Sequence, residues 1–533
     1  MKKSFIQIGL PVLIGILLFH SCELDINTNP NSPTETVVTP DLTLPAVVGA
    51  TVYNQIYYYG YASAAYLVGH QIPGKGVSGF GDVYTYNFTS SFVTGAWTSA
   101  LSALRDYGTI IRKSENDSGY VLYGAIAHIL TAYNYQLLVD AYGDVPYTEG
   151  LNGASGNLSP VYDSGADVYK ALISELNDAI SLIKDNRDNV GGGVLGLNSS
   201  TDPVFGGNLT KWIQFANNIK LRLLVRARGT TIDSFVKDAF SKFSSDGFLK
   251  EDVLVNPGYN SSSQQNPYWT VFHSSVDGTI TQPARFFIPS KYVFSFYDGT
   301  KLDDKTRGKL VYKGFPNTPT GQLADETNNP ATQQYTWFIG TGTGRTASDA
   351  AGILKSRSAA APLFFASETY FLLAEAALYD YLSSEGDAKT NFVKGIEASF
   401  AFLEKEGAAN TLPSGANPSQ DTQDYITTNS SSYLANFDIA GTTDQKLEAI
   451  ITQKYIALNI LNSNEAWNEF RRTGYPKISG SDALTTFVSI RSQSTRADKL
   501  PVRLIYPQTE FDLNANTPQT GDAYSNPVFW DKD

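Results

Sequence analysis

The sequence predicts a mainly α-helical protein in which paired helices form a scaffold and a loop-rich segment is inserted into it. Apolar residues recur at spacings of three and four through residues 97–248 and 362–476, as they do in helices with one buried face. Between these parts, residues 250–361 are dominated by Asn, Ser, Gly and Thr and carry only short apolar runs. With 533 residues the chain can bury a large core. We therefore expect a single domain over residues 46–533.

The N-terminus has the features of a secretory targeting segment, predicted over residues 1–21. Two lysines precede an apolar run, residues 5–19, which is shorter than the roughly 20 residues of a membrane-spanning helix. The run ends just before Cys22, the only cysteine of the chain. A cysteine in this place resembles a bacterial lipobox, although Phe19 and His20 are unusual residues before it. We expect lipid attachment at Cys22; the alternative is a simple signal peptide with an incidental cysteine.

The next segment, residues 22–45, has the composition of an extended tether. It carries four prolines, one of them after Asn, and little apolar sequence. Glu23 and Asp25 lie directly after Cys22. Acidic residues there resemble a signal that exports lipoproteins to the bacterial cell surface, whereas an ordinary polar tether is the alternative.

Two unusual segments precede the scaffold. Residues 46–66 are rich in tyrosine, with the string VYNQIYYYGYASAAY. Residues 69–95 are rich in Gly and Ser and are predicted to form a long loop. A loop of this length inside a compact domain is usually functional or mobile.

Helical periodicity then marks the first part of the scaffold. Four apolar faces begin near Trp97, Tyr123, Val168 and Trp212, and a short helix is predicted over residues 232–243. Trp97 and Trp212 are expected in the core. Helix pairs of this size resemble degenerate tetratricopeptide repeats, although a strict period of about 34 residues is absent.

The most distinctive stretch is residues 445–476, QKLEAIITQKYIALNILNSNEAWNEFRRTGYP. One helical face is formed by Leu447, Ile450, Ile451, Tyr455 and Leu458. Asp444 is the expected N-cap of this helix. A second, shorter helix would carry Trp467 and end before Gly474, which can adopt the left-handed conformation. We interpret Trp467, Arg471 and Arg472 as a packed helix end; direct contact with a ligand is the alternative.

This stretch also carries a family resemblance. ITQKYIALN followed by EAWNEFRRTGYP resembles the C-terminal signature of the SusD/RagB family, nutrient-uptake lipoproteins of the Bacteroidetes outer membrane. Further resemblances are DAYGDVPY at 140–147, GGNLTKWIQFANNIKLRLLVR at 206–226 and PLFFASETYFLLAEAALY at 362–379. Their order is that of the family. The resemblance implies a SusD-like fold with four tetratricopeptide-like helix pairs and a loop-rich inserted face.

The function that this resemblance implies is non-enzymatic. The protein would be a lipid-anchored, substrate-binding protein of the outer membrane that faces the cell exterior. It would capture oligosaccharides or oligopeptides and act as the lid of a SusC-like TonB-dependent barrel, without a cofactor. Two alternatives belong to other classes: a surface enzyme that degrades glycans or peptides, and a structural scaffold or adhesin.

Composition and motifs agree with a binding role. A net charge of −12 argues against nucleic acid as a partner, because phosphate binding requires a basic surface. The sequence contains no zinc-ligand spacing, no phosphate-binding P-loop and no G-x-S-x-G nucleophile motif. Glu368 and Glu375 would lie two helical turns apart, roughly 10 Å, without the fold context of a glycosidase. We therefore predict no catalytic residue and no metal site.

Ligand contact is expected from aromatic side chains in polar, Gly-rich surroundings, because flat rings stack on sugars and pack peptide side chains at small entropic cost. The predicted ligand-binding residues are Tyr84, Tyr86, Tyr268, Trp269 and Trp337. Together they would form a shallow, uncharged platform with Asn and Gln at its rim. If these rings pack inside the protein instead, the next candidate site lies between Tyr53 and Tyr66.

Overall fold

The structure is a computed structural model, and it describes residues 38–243, 245–331 and 351–532. The predicted lipid-attachment residue Cys22 and the predicted ligand-binding residue Trp337 lie outside these ranges. Within them, none of the helices combines the length and apolar character that crossing a membrane requires.

The described residues form a mainly helical molecule, as the sequence predicts. The helices of eight or more residues are α1 (Pro40–Asn54), α2 (Thr94–Asn116), α3 (Val121–Tyr142), α4 (Gly165–Asn186), α5 (Leu209–Ala227), α6 (Asp233–Phe240), α7 (Ala366–Leu378), α8 (Ala388–Glu404), α9 (Pro418–Thr428), α10 (Thr443–Ala457) and α11 (Ser463–Thr473). Shorter helices are Ala65–Leu67, Gly81–Thr85, Pro267–Phe272, Gln282–Phe286, Lys291–Phe294, Lys305–Val311 and Gln508–Leu513. A π-helix, Gln55–Ala64, continues α1.

Strands are short and belong mostly to the inserted segment. β1 (Ile72–Pro73) pairs antiparallel with β3 (Phe287–Ile288), and β2 (Val253–Val255) pairs antiparallel with β4 (Ala361–Phe364). Because β2 lies at the start of the insert and β4 at its end, the insert leaves and rejoins the helical scaffold at one place.

The first part of the scaffold consists of α2 to α5, each of which packs on the next. Side-chain caps fix two of the helix starts: Ser164 caps α4 and Asn208 caps α5. α3 ends at Gly143, whose φ of 82° favours glycine. Trp97 and Trp212 are buried at 1% and 0% exposure. The predicted helices and the core position of both tryptophans are confirmed.

The second part of the scaffold begins with α7, which packs on α8 and α10, while α8 also packs on α9. The helix predicted from residue 445 is present as α10, but its N-cap is Thr442, whose hydroxyl accepts the N–H of Gln445. Asp444, the predicted cap, lies in the first turn and accepts the hydroxyl of Tyr475 at 2.5 Å. α11 ends at Gly474 with a φ of 76°, as predicted.

The N-terminal tyrosine-rich segment is helical. α1 begins at Pro40, a residue type whose fixed φ suits the first turn of a helix. Residues 40–45 are therefore helical and do not belong to the predicted extended tether, which reached residue 45. From residue 55 the chain changes to π-helical hydrogen bonding, a rare geometry that is frequent at functional sites.

A cluster of buried charges, which we call the central ion-pair cluster, joins the two parts of the scaffold. Its cations are Arg222, Arg226, Arg228, Lys454 and Arg472, and its carboxylates are Asp140, Glu368, Glu375, Glu465 and Glu469. All but Arg228 are at most 2% exposed, and the side chain of Arg228 is 17% exposed. The cluster thus contains as many cations as carboxylates, as burial of charge requires.

Arg226 is the best-connected cation of this cluster. Its guanidinium donates to both carboxylate oxygens of Glu465 at 2.6 Å, donates to Asp140, and lies 3.7 Å from Glu469. Although burial alone would raise it, Arg226 and Lys454 hold the pKa of Glu465 below its ordinary value. The ion pairs therefore connect α3, α5, α10 and α11.

The predicted packed helix end of α11 is confirmed. Trp467 is 1% exposed, and the guanidinium of Arg471 lies 3.8 Å from the centroid of its ring. The same guanidinium also lies 4.6 Å from the ring centroid of Trp530. Arg472 binds both oxygens of Glu375 at 2.7 and 2.6 Å. Glu375 therefore has a structural partner.

Candidate functional site

The structure buries the predicted ligand-binding aromatics that it describes. Tyr84 is 5% exposed, Tyr86 0%, Tyr268 2% and Trp269 2%. The expectation that these four rings form an open platform is therefore wrong. Contact of any of them, or of Trp337 outside the described residues, with a ligand stays a prediction.

Long-range contacts explain the burial of these rings. The hydroxyl of Tyr86 accepts the backbone N–H of Ser489 at 3.1 Å, and the hydroxyl of Tyr268 donates to the carbonyl of Leu461. The indole N–H of Trp269 donates to Ser274 at 3.2 Å. Segments near residues 461 and 489 thus cover aromatics that are surrounded by polar residues in the sequence.

Partly exposed tyrosines occur together at the end of α1 and in the π-helix, and we call them the tyrosine row: Tyr53, Tyr57, Tyr58 and Tyr61. Tyr53 is 36% exposed, and the other three are half-buried. The rings of Tyr53 and Tyr57 are stacked with centroids 5.3 Å apart, and Tyr61 follows at a further 5.3 Å from Tyr57. Tyr58 meets Tyr57 edge-on at 4.9 Å. The row is a continuous aromatic surface.

The surrounding helices hold this row in place. The ring of Tyr58 lies over Gly95 at the start of α2, where a Cβ atom would come within 2.1 Å of the ring. Only glycine accommodates this approach. Tyr61 packs edge-on against Phe272 and Phe287, each with a centroid distance of 5.9 Å. The row is therefore anchored on both the scaffold and the insert.

The tyrosine row is uncharged. Burial, followed by the neighbouring phenols Tyr57 and Tyr58, raises the pKa of Tyr53, and burial likewise raises the pKa of Tyr61. Among the described residues, no hydrogen bond occupies the hydroxyls of Tyr53, Tyr57 and Tyr58. Such a surface offers ring area and free hydroxyl groups to a ligand without charge.

The sequence contained a signal for this site. The string YNQIYYYGY places the four tyrosines of the row within nine residues, and this segment was the second candidate in the sequence. Sequence periodicity does not distinguish a π-helix from an α-helix, so the alignment of the rings could not be predicted. The close contact of Tyr58 with Gly95 joins residues that are remote in the chain.

Metal ions have no assembled site in the part of the chain that the structure describes. No group of three or more His, Cys, Asp or Glu side chains is placed there to hold a metal ion. Glu368 and Arg222 form a buried ion pair at 3.2 Å. His70 is fully buried, and burial lowers its pKa to about 3, so this imidazole is neutral and packed.

The chain matches the SusD-like family described as "Starch-binding associating with outer membrane" over residues 33–507. No curated protein sequence gives a significant match. Many solved structures are similar.

Three of these structures illustrate the similarity. A SusD homolog from Bacteroides uniformis has 22% sequence identity and a TM-score of 0.67, covering 92% of this chain and 99% of that one. A chitin-binding SusD homolog from Flavobacterium johnsoniae has 19% identity and a TM-score of 0.67, with coverage of 93% and 97%. A SusD homolog from Bacteroides thetaiotaomicron has 19% identity and a TM-score of 0.65, with coverage of 93% and 100%. At these identities the structures establish a shared fold.

Proposed function

The chain belongs to the SusD-like family, and from this premise we propose that it is a non-catalytic glycan-binding protein associated with the outer membrane. The family description supports both the ligand class and the location. The observation that carries the proposal for this chain is the tyrosine row, an uncharged aromatic surface in which the hydroxyls of Tyr53, Tyr57 and Tyr58 have no partner among the described residues.

We place the ligand on this row because its chemistry fits a sugar. Sugar rings present apolar C–H faces and hydroxyl groups, which match tyrosine rings and tyrosine hydroxyls respectively. The row extends over Tyr53, Tyr57 and Tyr61 with successive centroid distances of 5.3 Å. A surface of this extent is suited to several sugar units, so the proposed ligand is an oligosaccharide. Oligopeptides are the second candidate, since tyrosine also packs against peptide side chains.

We further propose that the protein is anchored by lipid at Cys22 and acts as the lid of a SusC-like TonB-dependent barrel. The lone cysteine after an apolar run and the family resemblance support this assignment. Cys22→Ala is expected to release the protein from the membrane fraction of cells that lack the barrel. Unchanged partitioning of this variant would contradict lipid anchoring.

Titration calorimetry tests the proposed site. Maltooligosaccharides, chitooligosaccharides and a pool of short peptides would be titrated into the parent protein, Tyr57→Ala and a control, Tyr370→Ala. Tyr370 is a half-buried tyrosine of α7 that is not part of the row. Because truncating a binding hot spot costs more than about 1.4 kcal/mol, Tyr57→Ala should weaken binding about tenfold or more.

The control variant should bind like the parent. Binding of Tyr57→Ala within twofold of the parent would exclude the row as the ligand site. Tight binding of peptides and not of glycans would replace the proposed ligand class. Release of shortened oligosaccharides during incubation with the parent protein would indicate an enzyme instead of a binding protein.

A further inference from the structure

A cleft separate from the tyrosine row lies on the scaffold, between α2, α3, α4 and the loop that follows α3. Its volume is about 340 Å³, which is near the lower end of the range of small-molecule sites. The side chains that matter for its chemistry are Arg112, His128, Thr131, Tyr135, Tyr147 and Glu175. The side chain of His128 is 27% exposed in this cleft.

The carboxylate of Glu175 is fixed in the cleft by two donors. Nδ1 of His128 lies 2.9 Å from one oxygen, and the hydroxyl of Tyr147 donates to the other at 2.9 Å. Because a carboxylate accepts hydrogen bonds, Nδ1 of His128 carries a hydrogen, which leaves Nε2 to bond to a ligand. Two polar groups, Glu175 and His128, are therefore held in defined orientations.

Two hydroxyl groups of the same cleft lack partners. Thr131 is 3% exposed and Tyr135 is 1% exposed, and neither hydroxyl has a hydrogen bond in the described part of the chain. The rings of Tyr135 and Tyr147 meet edge-on at 4.9 Å, which adds an apolar surface. Buried hydroxyls without partners are uncommon in native proteins and destabilise the fold unless a ligand or water binds them.

We propose that this cleft binds a single uncharged sugar unit at a site separate from the tyrosine row. Each sugar hydroxyl can donate and accept, so one ligand can bond to Thr131, Tyr135 and His128 and also donate to Glu175. The volume suits one sugar unit and is too small for a long oligosaccharide. The choice of a sugar rests on the proposed function, whereas the location rests on the cleft alone.

The cleft and the tyrosine row lie beside different parts of α2 and are far from each other. Gly95, in the first turn of α2, lies beneath Tyr58, and α2 reaches the cleft at Gly108. With a rise of 1.5 Å per residue, these glycines are separated by about 20 Å. A ligand on the row therefore does not fill the cleft, and the two sites can be tested independently.

Saturation-transfer NMR with glucose, galactose, mannose and N-acetylglucosamine tests this proposal. At least one of these monosaccharides should bind the parent protein. Tyr135→Phe removes one hydroxyl and keeps the ring, so it should weaken that binding about fivefold. Its melting temperature should equal or exceed that of the parent, because only an unpartnered buried hydroxyl is lost. Tyr370→Ala serves as the control and should bind the monosaccharide like the parent, because Tyr370 belongs neither to the cleft nor to the row. Tyr57→Ala is measured beside it to distinguish binding in the cleft from binding on the row.

Three results would overturn the proposal. The first is the absence of binding for all four monosaccharides, which would leave the cleft filled by water. The second is equal binding by the parent and by a folded Tyr135→Phe variant. The third is loss of monosaccharide binding in Tyr57→Ala, which would place the sugar on the row. Oligosaccharide binding that depends on Tyr57 is measured separately, so the proposed function can survive any of these results.

Discussion

The central ion-pair cluster permits a quantitative prediction for Arg226→Met. Methionine retains much of the apolar volume of arginine but removes the charge that binds Asp140 and Glu465. Removing one partner of a buried ion pair typically costs about 3–5 kcal/mol, because the remaining charge is left without compensation. Proteins are usually stable by only about 5–15 kcal/mol. We therefore expect Arg226→Met to lose at least about a fifth of the free energy of unfolding.

Urea denaturation followed by tryptophan fluorescence measures this loss. Arg226→Met combined with Glu465→Gln restores the balance of charge and should recover part of it, which a double-mutant cycle quantifies. Lys242→Met is the matched control, since Lys242 pairs with Asp238 on the surface with the two side chains 62% and 57% exposed. This control should change stability by less than about 0.5 kcal/mol. A loss below about 1 kcal/mol in Arg226→Met, or strictly additive losses in the cycle, would refute the reasoning.

Three further predictions concern single residues. Trp467→Ala should cost about 3–5 kcal/mol in urea denaturation, because the ring is 1% exposed and leaves a cavity; a loss below about 1 kcal/mol would contradict the packed interpretation. Burial, followed by the nearby carboxylate of Asp421, raises the pKa of Glu404 from 4.5 to about 7. The folded state thus binds the Glu404 proton more tightly than the unfolded state does. The resulting contribution to the free energy of unfolding is fully present below about pH 4.5 and is lost as the pH rises to about 7. In melting temperatures measured from pH 5 to 8, Glu404→Gln should lack the decrease that the parent shows. The same pH dependence in the parent and in Glu404→Gln would contradict the raised pKa of Glu404. Gly95→Ala should displace the ring of Tyr58 and weaken oligosaccharide binding by about threefold or more with the fold intact, as calorimetry and circular dichroism would show; unchanged affinity would mean that Tyr58 is not part of the site.

The helices could be predicted because their apolar residues follow a local period. α3, for example, shows its core face in the sequence from Tyr123 onward and ends at Gly143, where the φ of 82° suits glycine. The same reasoning missed the central ion-pair cluster. In α11 the charged residues Glu465, Glu469 and Arg472 are at most 2% exposed, whereas periodicity assigns such residues to the solvent. Glu469 and Arg472 pair within α11, but their other partners, Lys454 and Glu375, lie on other helices. The pattern within one helix therefore does not show that these residues are buried.

The binding surface was harder to predict for the same reason. Tyr86 lies in a polar, Gly-rich sequence, yet Ser489 and its neighbours cover it completely. Tyr57 lies in an apolar sequence, yet its ring is partly exposed. Exposure of an aromatic ring is decided by which remote segment packs over it. A single sequence does not show which segments pack on each other. It therefore identifies candidate rings but does not rank them by exposure.

The central ion-pair cluster also bears on how the protein unfolds. In arrays of helical repeats each unit contacts only its neighbours, so terminal units can detach while the others stay folded. Here Arg226 bonds to Glu465 across 239 positions of the chain, and both lie in one buried group that includes Asp140. Detaching a helix pair from either part would leave unpaired charges in the remaining core. Detachment of one helix pair should therefore unfold the other helix pairs. The scaffold should unfold as a single cooperative unit, without ends that detach separately.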